Sequence, residues 1–298
     1  MESTKEFGLV KPEILDEKKP IKYFSNQYKN FKNFKKPAID VVGSPVTALP
    51  FESQINLILE WAMSKMSKFV CVANTHMLVE AHWHPEFSSL LKDADLVTPD
   101  GMPLVWMLKL MGFRNQNRVA GMDILLSLCK LAPLREISIF FLGSETTTLE
   151  KMKKKLACEF PNLQIAGMEP LPFRPLTHAE DEAIIQRIHD SGAAIVLVAL
   201  GCPKQEYWMR QHKDKIKAVM IGLGGVFPVF AGDKKRASSW IRDLGCEWLY
   251  RLLQEPTRLW GRYGTTIPTF ILLASRQLLK LLYCNVKRKF GLVTDSSY

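Results

Sequence analysis

The strongest constraint on this chain is an alternation. Short apolar runs that end in glycine or a small polar turn are each followed by a stretch with helical spacing, and the unit recurs through the middle of the sequence. KFVCVAN (68–74), DLVTPDG (95–101), ISIFFLGS (137–144), LQIAGM (163–168), AAIVLVALG (193–201) and KAVMIGLGG (217–225) read as strands, and AIDVVG (38–43) reads as one more. Between them, residues 49–66 place Ile55, Leu59, Ala62 and Met66 on one helical face. Residues 75–94 read as helix, parted before Pro85, and 102–112, 146–160, 178–192 and 203–214 read as further helices. Strands that are apolar at consecutive positions are buried on both faces. The expected fold class is therefore α/β, a mostly parallel sheet with flanking helices.

Right-handed crossovers gather the C-terminal ends of such strands on one edge, where ligands bind. The turns that matter are then Asn74–His76, Pro99–Met102, Gly143–Thr146, Gly201–Glu206 and Gly222–Phe227. After Gly232 the strand pattern stops and an aromatic, helical, basic segment follows. This suggests an arm over 1–37, an α/β core over 38–232 and a helical appendage over 233–298.

Charge divides the same way. The formal net charge is +10, but residues 38–232 carry 19 basic and 20 acidic groups, whereas 233–298 carry 12 and five. Residues 1–37 carry nine lysines and five acids with few aliphatics, the composition of a loosely packed arm. A neutral globule with a basic end is built to meet phosphate, in nucleic acid or in anionic lipid. The six cysteines show no CxxC pair, which fits reduced thiols rather than a disulfide frame or zinc site. The first 20 residues lack an apolar signal-peptide core. The most apolar stretch, 265–282, contains Arg276 and Lys280 and reads as too short and too charged to span a bilayer.

Each turn admits two readings. Gly143 and Ser144 open a helix whose free N–H groups can hold a phosphate, or form an ordinary capped turn. In GCPKQE, Lys204 can face phosphate, Gln205 can read a uracil or sugar edge, and Glu206 stands at the helix start; a plain capped helix explains the same residues. Arg118, beside a glycine turn, can grip a diphosphate or simply be solvated. His76, His82 and His84 lack the spacing and the extra ligand of a zinc site. Arg251, Arg258 and Arg262 share one face if a single helix runs through Pro256, with Trp240, Trp248, Leu252 and Trp260 on another. LVTPDG ends a strand on a single acid, Asp100, without the second carboxylate of a metal clamp.

Taken in order, VAN…LVEA, ADLVTPDGMPLVW, RVAGMD, FFLGS, LVALGCPKQEYWM, IGLGGVFPVFAG and RASSWIRDLGCEWLYRLLQEPTRLWGRY resemble the WecG/TagA/CpsF glycosyltransferases (glycosyltransferase family 26), from about Ala38 to Tyr263. The resemblance implies a Rossmann-like core with a membrane-facing appendage. It implies inverting transfer of N-acetylmannosamine or a related hexose from a UDP-sugar to a polyprenyl-diphosphate-linked sugar, in bacterial cell-surface polysaccharide synthesis. It implies no metal or other cofactor and no nucleic-acid partner. It places the enzyme in the cytoplasm, peripheral on the inner face of the membrane.

The same resemblance puts the catalytic base on Asp100, beside Gly101. It puts polar contacts on Asn74, and aligns Gln205 with the family's PKQE glutamine and Arg118 with the arginine before its glycine turn. It puts closure of the site and contact with the acceptor diphosphate on Arg251 and Arg258, with Arg262 a weaker match. At the family's threonine position this chain has Val72. The basic tail suits attraction to anionic lipid, with Leu272, Leu273, Leu278, Leu279 and Leu282 inserting shallowly while Lys280 and residues 287–289 stay with headgroups. It equally suits homo-oligomer formation. Glucosyl or galactosyl transfer in exopolysaccharide or capsule assembly is an alternative within the family. A nucleotide-dependent oxidoreductase would need a complete dinucleotide fingerprint, which is missing.

Overall fold

The computed structural model describes residues 37–172 and 174–289. The N-terminal arm expected over 1–37 lies outside the described residues but for Pro37, as does the end of the tail, 290–298. The chain opens with β1 (Ala38–Val41), β2 (Ser44–Thr47), α1 (Phe51–Met63), β3 (Lys68–Ala73), α2 (Thr75–Trp83) and α3 (Pro85–Asp93). Next come β4 (Leu96–Pro99), α4 (Met102–Leu110), α5 (Gly121–Leu131), β5 (Ile139–Gly143), α6 (Thr146–Glu159) and β6 (Ile165–Glu169). The rest is α7 (His178–Asp190), β7 (Ile195–Ala199), α8 (Lys204–His212), β8 (Val219–Gly222), α9 (Phe227–Ala231), α10 (Ser239–Asp243), α11 (Glu247–Gln254) and α12 (Pro256–Lys289).

Six strands form one sheet in the order β4-β3-β8-β7-β5-β6, and every neighbouring pair is parallel. The inner strands β5, β7 and β8 are buried at every position, as their apolar sequences require, while the edge strand β6 is half-buried. This is the α/β architecture the alternation predicts.

AIDVVG does not join that sheet. Val42 (φ 55°) and Gly43 (φ 82°) make a two-residue turn with positive φ at both positions, which folds β1 back on β2 as an antiparallel hairpin. A β-branched residue seldom adopts that conformation. Here the Val42 N–H donates to Gln277 Oε1 at 2.9 Å, and Gln277 Nε2 donates back to the Asp40 carbonyl at 2.7 Å. One amide side chain of α12 thereby clasps the hairpin.

The turns after β7 and β8 are joined by another buried amide. Gln205 Oε1 accepts from the Gly201 N–H at 3.2 Å and the Gly224 N–H at 3.0 Å, while Nε2 donates to Glu206 Oε1 at 2.7 Å. Glycine is needed around it. A Cβ on Gly224 would lie 2.6 Å from Gln205 Oε1 and 2.7 Å from the Gly201 nitrogen, and one on Gly222 would lie 2.8 Å from Gln205 Nε2. Gly222 and Gly224 therefore make room for Gln205.

The C-terminal segment departs from the single-helix reading. Glu255 leaves helical geometry (φ −134°), and Pro256, which cannot donate to a continuing helix, opens α12. The three arginines thus come from two helices. α12 is also longer than the 265–282 stretch. By length and composition Pro256–Cys284 is sufficient to cross a bilayer, which corrects the expectation that it is too short. One stripe of α12, Leu259, Thr266, Phe270 and Ala274, is buried, whereas Trp260, Leu272, Leu279 and Leu282 are exposed.

Gly224→Ala should cost about 1–3 kcal/mol in urea unfolding, because its methyl group meets backbone and a bonded amide rather than a flexible chain end. A loss below about 0.5 kcal/mol would show that the turn can yield.

Candidate active site

The C-terminal ends of the strands open into a cleft of about 1720 Å³, roofed by α10, α11 and α12. Eleven Lys or Arg and six Asp or Glu side chains line it, so its potential is positive. Asn74, Asp100, Gly101, Arg118, Ser144, Lys204, Gln205, Arg251, Arg258 and Arg262 all line this one cleft, although they come from distant parts of the sequence. Gly143 and Glu206 do not.

Asp100 follows the last residue of β4. Its N–H donates to the Ala73 carbonyl at 2.9 Å, and Val119 N–H donates to the Pro99 carbonyl at 2.9 Å. These bonds fix the acid between the end of β3 and the loop that carries Arg118. Arg118 Nε lies 3.8 Å from Asp100 Oδ1, while Arg118 Nη2 lies 3.0 Å from Glu247 Oε2. Glu247 Oε1 in turn accepts from Arg251 Nε at 3.0 Å and Nη2 at 2.5 Å.

Asp100, Arg118, Glu247 and Arg251 thus form a line of alternating charge. Burial pushes the Asp100 carboxyl up to about 6, with Arg118 opposing the shift and Glu247 adding to it. That holds although 26% of the side chain is exposed toward the cleft. The floor beneath is apolar. Val72 is 8% exposed and borders Gly121, where a Cβ would meet Val226 at 2.9 Å and Leu223 at 3.1 Å.

The remaining residues divide by task. Asn74 Oδ1 caps α2 by accepting from Met77 N–H at 3.1 Å. Gly101 has φ −79°, and a Cβ there would make ordinary contacts at 3.6 Å, so neither turn geometry nor close packing demands glycine. Gly143 is different: its φ is +94°, and a Cβ would meet the Ala199 carbonyl oxygen at 2.6 Å. Its role is conformational, and it also sets up Ser144 (φ 70°) ahead of α6. No side chain caps α6, which corrects the Ser/Thr-capped alternative for that turn and leaves its first N–H groups without such a partner.

Gln205 touches the cleft, but three internal bonds commit most of its amide. That leaves little of it for a uracil or sugar edge. Glu206 is fully buried and its carboxyl is pushed up to about 7 by desolvation. Lys204 stands exposed at the start of α8.

Arg258 pairs with Glu255, which also holds Lys234 at 2.8 Å. Arg262 has no carboxylate partner among the described residues. Together with burial, the larger effect, it keeps His76 down at about 4 and hence neutral. His76 and His84 flank Glu80 at 3.6 and 3.5 Å, and no group of three His, Cys, Asp or Glu suited to a metal occurs among the described residues.

Sequence reasoning missed Glu247, whose only signal was its i,i+4 spacing from Arg251. It also missed Arg236, paired to Asp123, and Arg242, whose buried Nε finds no protein acceptor; both line the cleft.

Comparison with known proteins gives a consistent result. Residues 39–282 match the family described as Glycosyl transferase WecG/TagA/CpsF. An N-acetylglucosaminyldiphosphoundecaprenol N-acetyl-beta-D-mannosaminyltransferase of Bacillus spizizenii (strain W23) is 34% identical over 204 residues, covering 68% of this chain and 77% of that protein. A protein of the same name from Bacillus subtilis (strain 168) is 32% identical over 210 residues, covering 70% and 79%.

A carboxyl raised in the folded state destabilises the fold once it ionises. The penalty is absent below its unfolded value near 4 and complete above about 6. Asp100→Asn should therefore leave stability nearly unchanged at acid pH and raise it by roughly 3 kcal/mol at pH 8. Urea unfolding at the two pH values checks this, and a variant less stable at pH 8 than the parent would contradict it.

Proposed function

The chain belongs to the WecG/TagA/CpsF family of glycosyltransferases, and from that premise we propose that Asp100 is the base of an inverting sugar transfer. The donor in this reading is a UDP-sugar, with N-acetylmannosamine the first choice because both similar Bacillus proteins are named for its transfer. The acceptor is a sugar on a polyprenyl diphosphate.

The observation that carries the assignment is the desolvated acid at the end of β4, facing a cleft rich in arginine. An inverting transfer needs a base to take the acceptor hydroxyl proton as the new bond forms. At about 6, Asp100 is ionised at neutral pH yet more basic than an exposed carboxylate. The departing diphosphate needs positive charge, and Arg118, Arg251, Arg258 and Arg262 line the same cleft. These guanidiniums support a reading without a metal.

The C-terminal helices fit a membrane-bound acceptor. α12 keeps one stripe and Gln277 against the protein, so we read it as lying on the bilayer surface rather than crossing it. Its exposed Trp260, Leu272, Leu279 and Leu282 would enter the headgroup boundary, on the cytoplasmic face where the nucleotide donor is found.

Asp100→Asn should lower transfer at least about a hundredfold while UDP binding persists. Wild-type kcat/KM should fall below about pH 6, and EDTA should leave it unchanged. Screening UDP-sugars on a lipid-diphosphate acceptor tests all three, and undiminished activity in the variant would remove Asp100 from the base role. Because deleting α12 would expose its buried face, the membrane reading is better tested by Leu272→Gln, Leu279→Gln and Leu282→Gln together. Binding to anionic vesicles should fall and should weaken with salt; unchanged flotation would refute it.

A further inference from the structure

The acid between the two arginines has no part in the transfer as just described. Glu247 uses both oxygens, one toward Arg118 (3.0 Å) and one toward the Arg251 fork (3.0 and 2.5 Å). Burial pushes its carboxyl up, but the two guanidiniums more than offset this and keep it below the usual carboxylate range, hence ionised. A carboxylate so held presents to the arginines what a phosphate would present: two oxygens and negative charge.

The group is reachable. The Arg251 side chain is 48% exposed, and Glu247 and Arg118 are 21% and 17% exposed on the cleft wall. An ion pair that solvent reaches is readily exchanged for a more highly charged partner. The location also matters. Glu247 and Arg251 ride together on α11, whereas Arg118 belongs to the loop after α4 and also faces Asp100. The Arg118–Glu247 pair is therefore one contact through which α11 meets the core beside the acid.

We propose that Glu247 is an internal competitor for the diphosphate: it pairs with Arg118 and Arg251, yields them to an entering diphosphate, and retakes them as the product diphosphate leaves. The inference rests on the glycosyltransferase reading of the cleft. Glu247 acts through the arginines and is a positioning residue. Its charge weakens diphosphate binding and speeds release, so removing the charge should tighten binding without accelerating the chemical step.

The test is calorimetric titration of the full chain with inorganic pyrophosphate and with UDP, for wild type, Glu247→Gln and Glu247→Asp. Glu247→Gln should bind both roughly three- to tenfold more tightly. In steady state its KM for the donor and its inhibition constant for UDP should fall by a similar factor, with kcat unchanged or lower. Glu247→Asp, too short to reach both arginines, should fall between the two and serves if the Gln variant folds poorly. If wild type binds pyrophosphate and the variants bind it equally or more weakly, Glu247 is a fixed brace and the inference fails, with the cleft reading intact. If none of the proteins binds pyrophosphate or UDP, the cleft reading itself fails and takes the inference with it.

Discussion

A sheet whose six strands all run one way imposes the rest of this structure. Each strand must be followed by a crossover before the next can pair, so the strand ends and their turns collect along a single edge. That edge is where backbone hydrogen bonds run out, and the turn residues there answer to their neighbours across the edge. Asp100 is held by the end of β3 as much as by its own strand. Gln205 is held by the turn after β8. The same geometry buries most of Asp100, which raises its proton affinity against the opposing pull of Arg118.

Charge in the cleft is then a matter of balance. Cations outnumber acids along the lining, and the acids present are mostly engaged with particular arginines or lysines. Arg262 and Arg242 depart from that pairing. In our reading the partly unspent positive charge is what a diphosphate meets, while Val72, Gly121, Leu223 and Val226 pack together as an apolar part of the same lining.

Much of this was legible in the sequence because it depends on local pattern. Continuous apolar runs gave away the buried parallel strands, and turn chemistry marked the edge that carries Asp100, Ser144 and Lys204. What stayed hidden depends on partners far along the chain. Nothing near Gln205 announces that its amide closes on Gly224, 19 positions later, so a polar residue at a helix start looked available for ligand. In the sequence Glu247 shows only its i,i+4 spacing from Arg251, and its other partner, Arg118, lies in another part of the chain. The positive φ of Val42 is unusual for valine and becomes intelligible only with Gln277 in place. Pro256 was visible, and its consequence, two helices rather than one, follows from its missing N–H.

The Gln205 lock has a consequence for how such a sequence can change. The amide, Gly222 and Gly224 fit one another so closely that a larger residue at either glycine meets the glutamine, while a smaller residue at 205 leaves the Gly201 and Gly224 N–H groups without an acceptor. Substitutions at these three positions are therefore not independent. A lineage replacing one must pass through a less stable intermediate or change two together, so the mutational effects are epistatic rather than additive. Covariation across such families would trace this steric bargain between two turns, although neither turn is near the other in the chain.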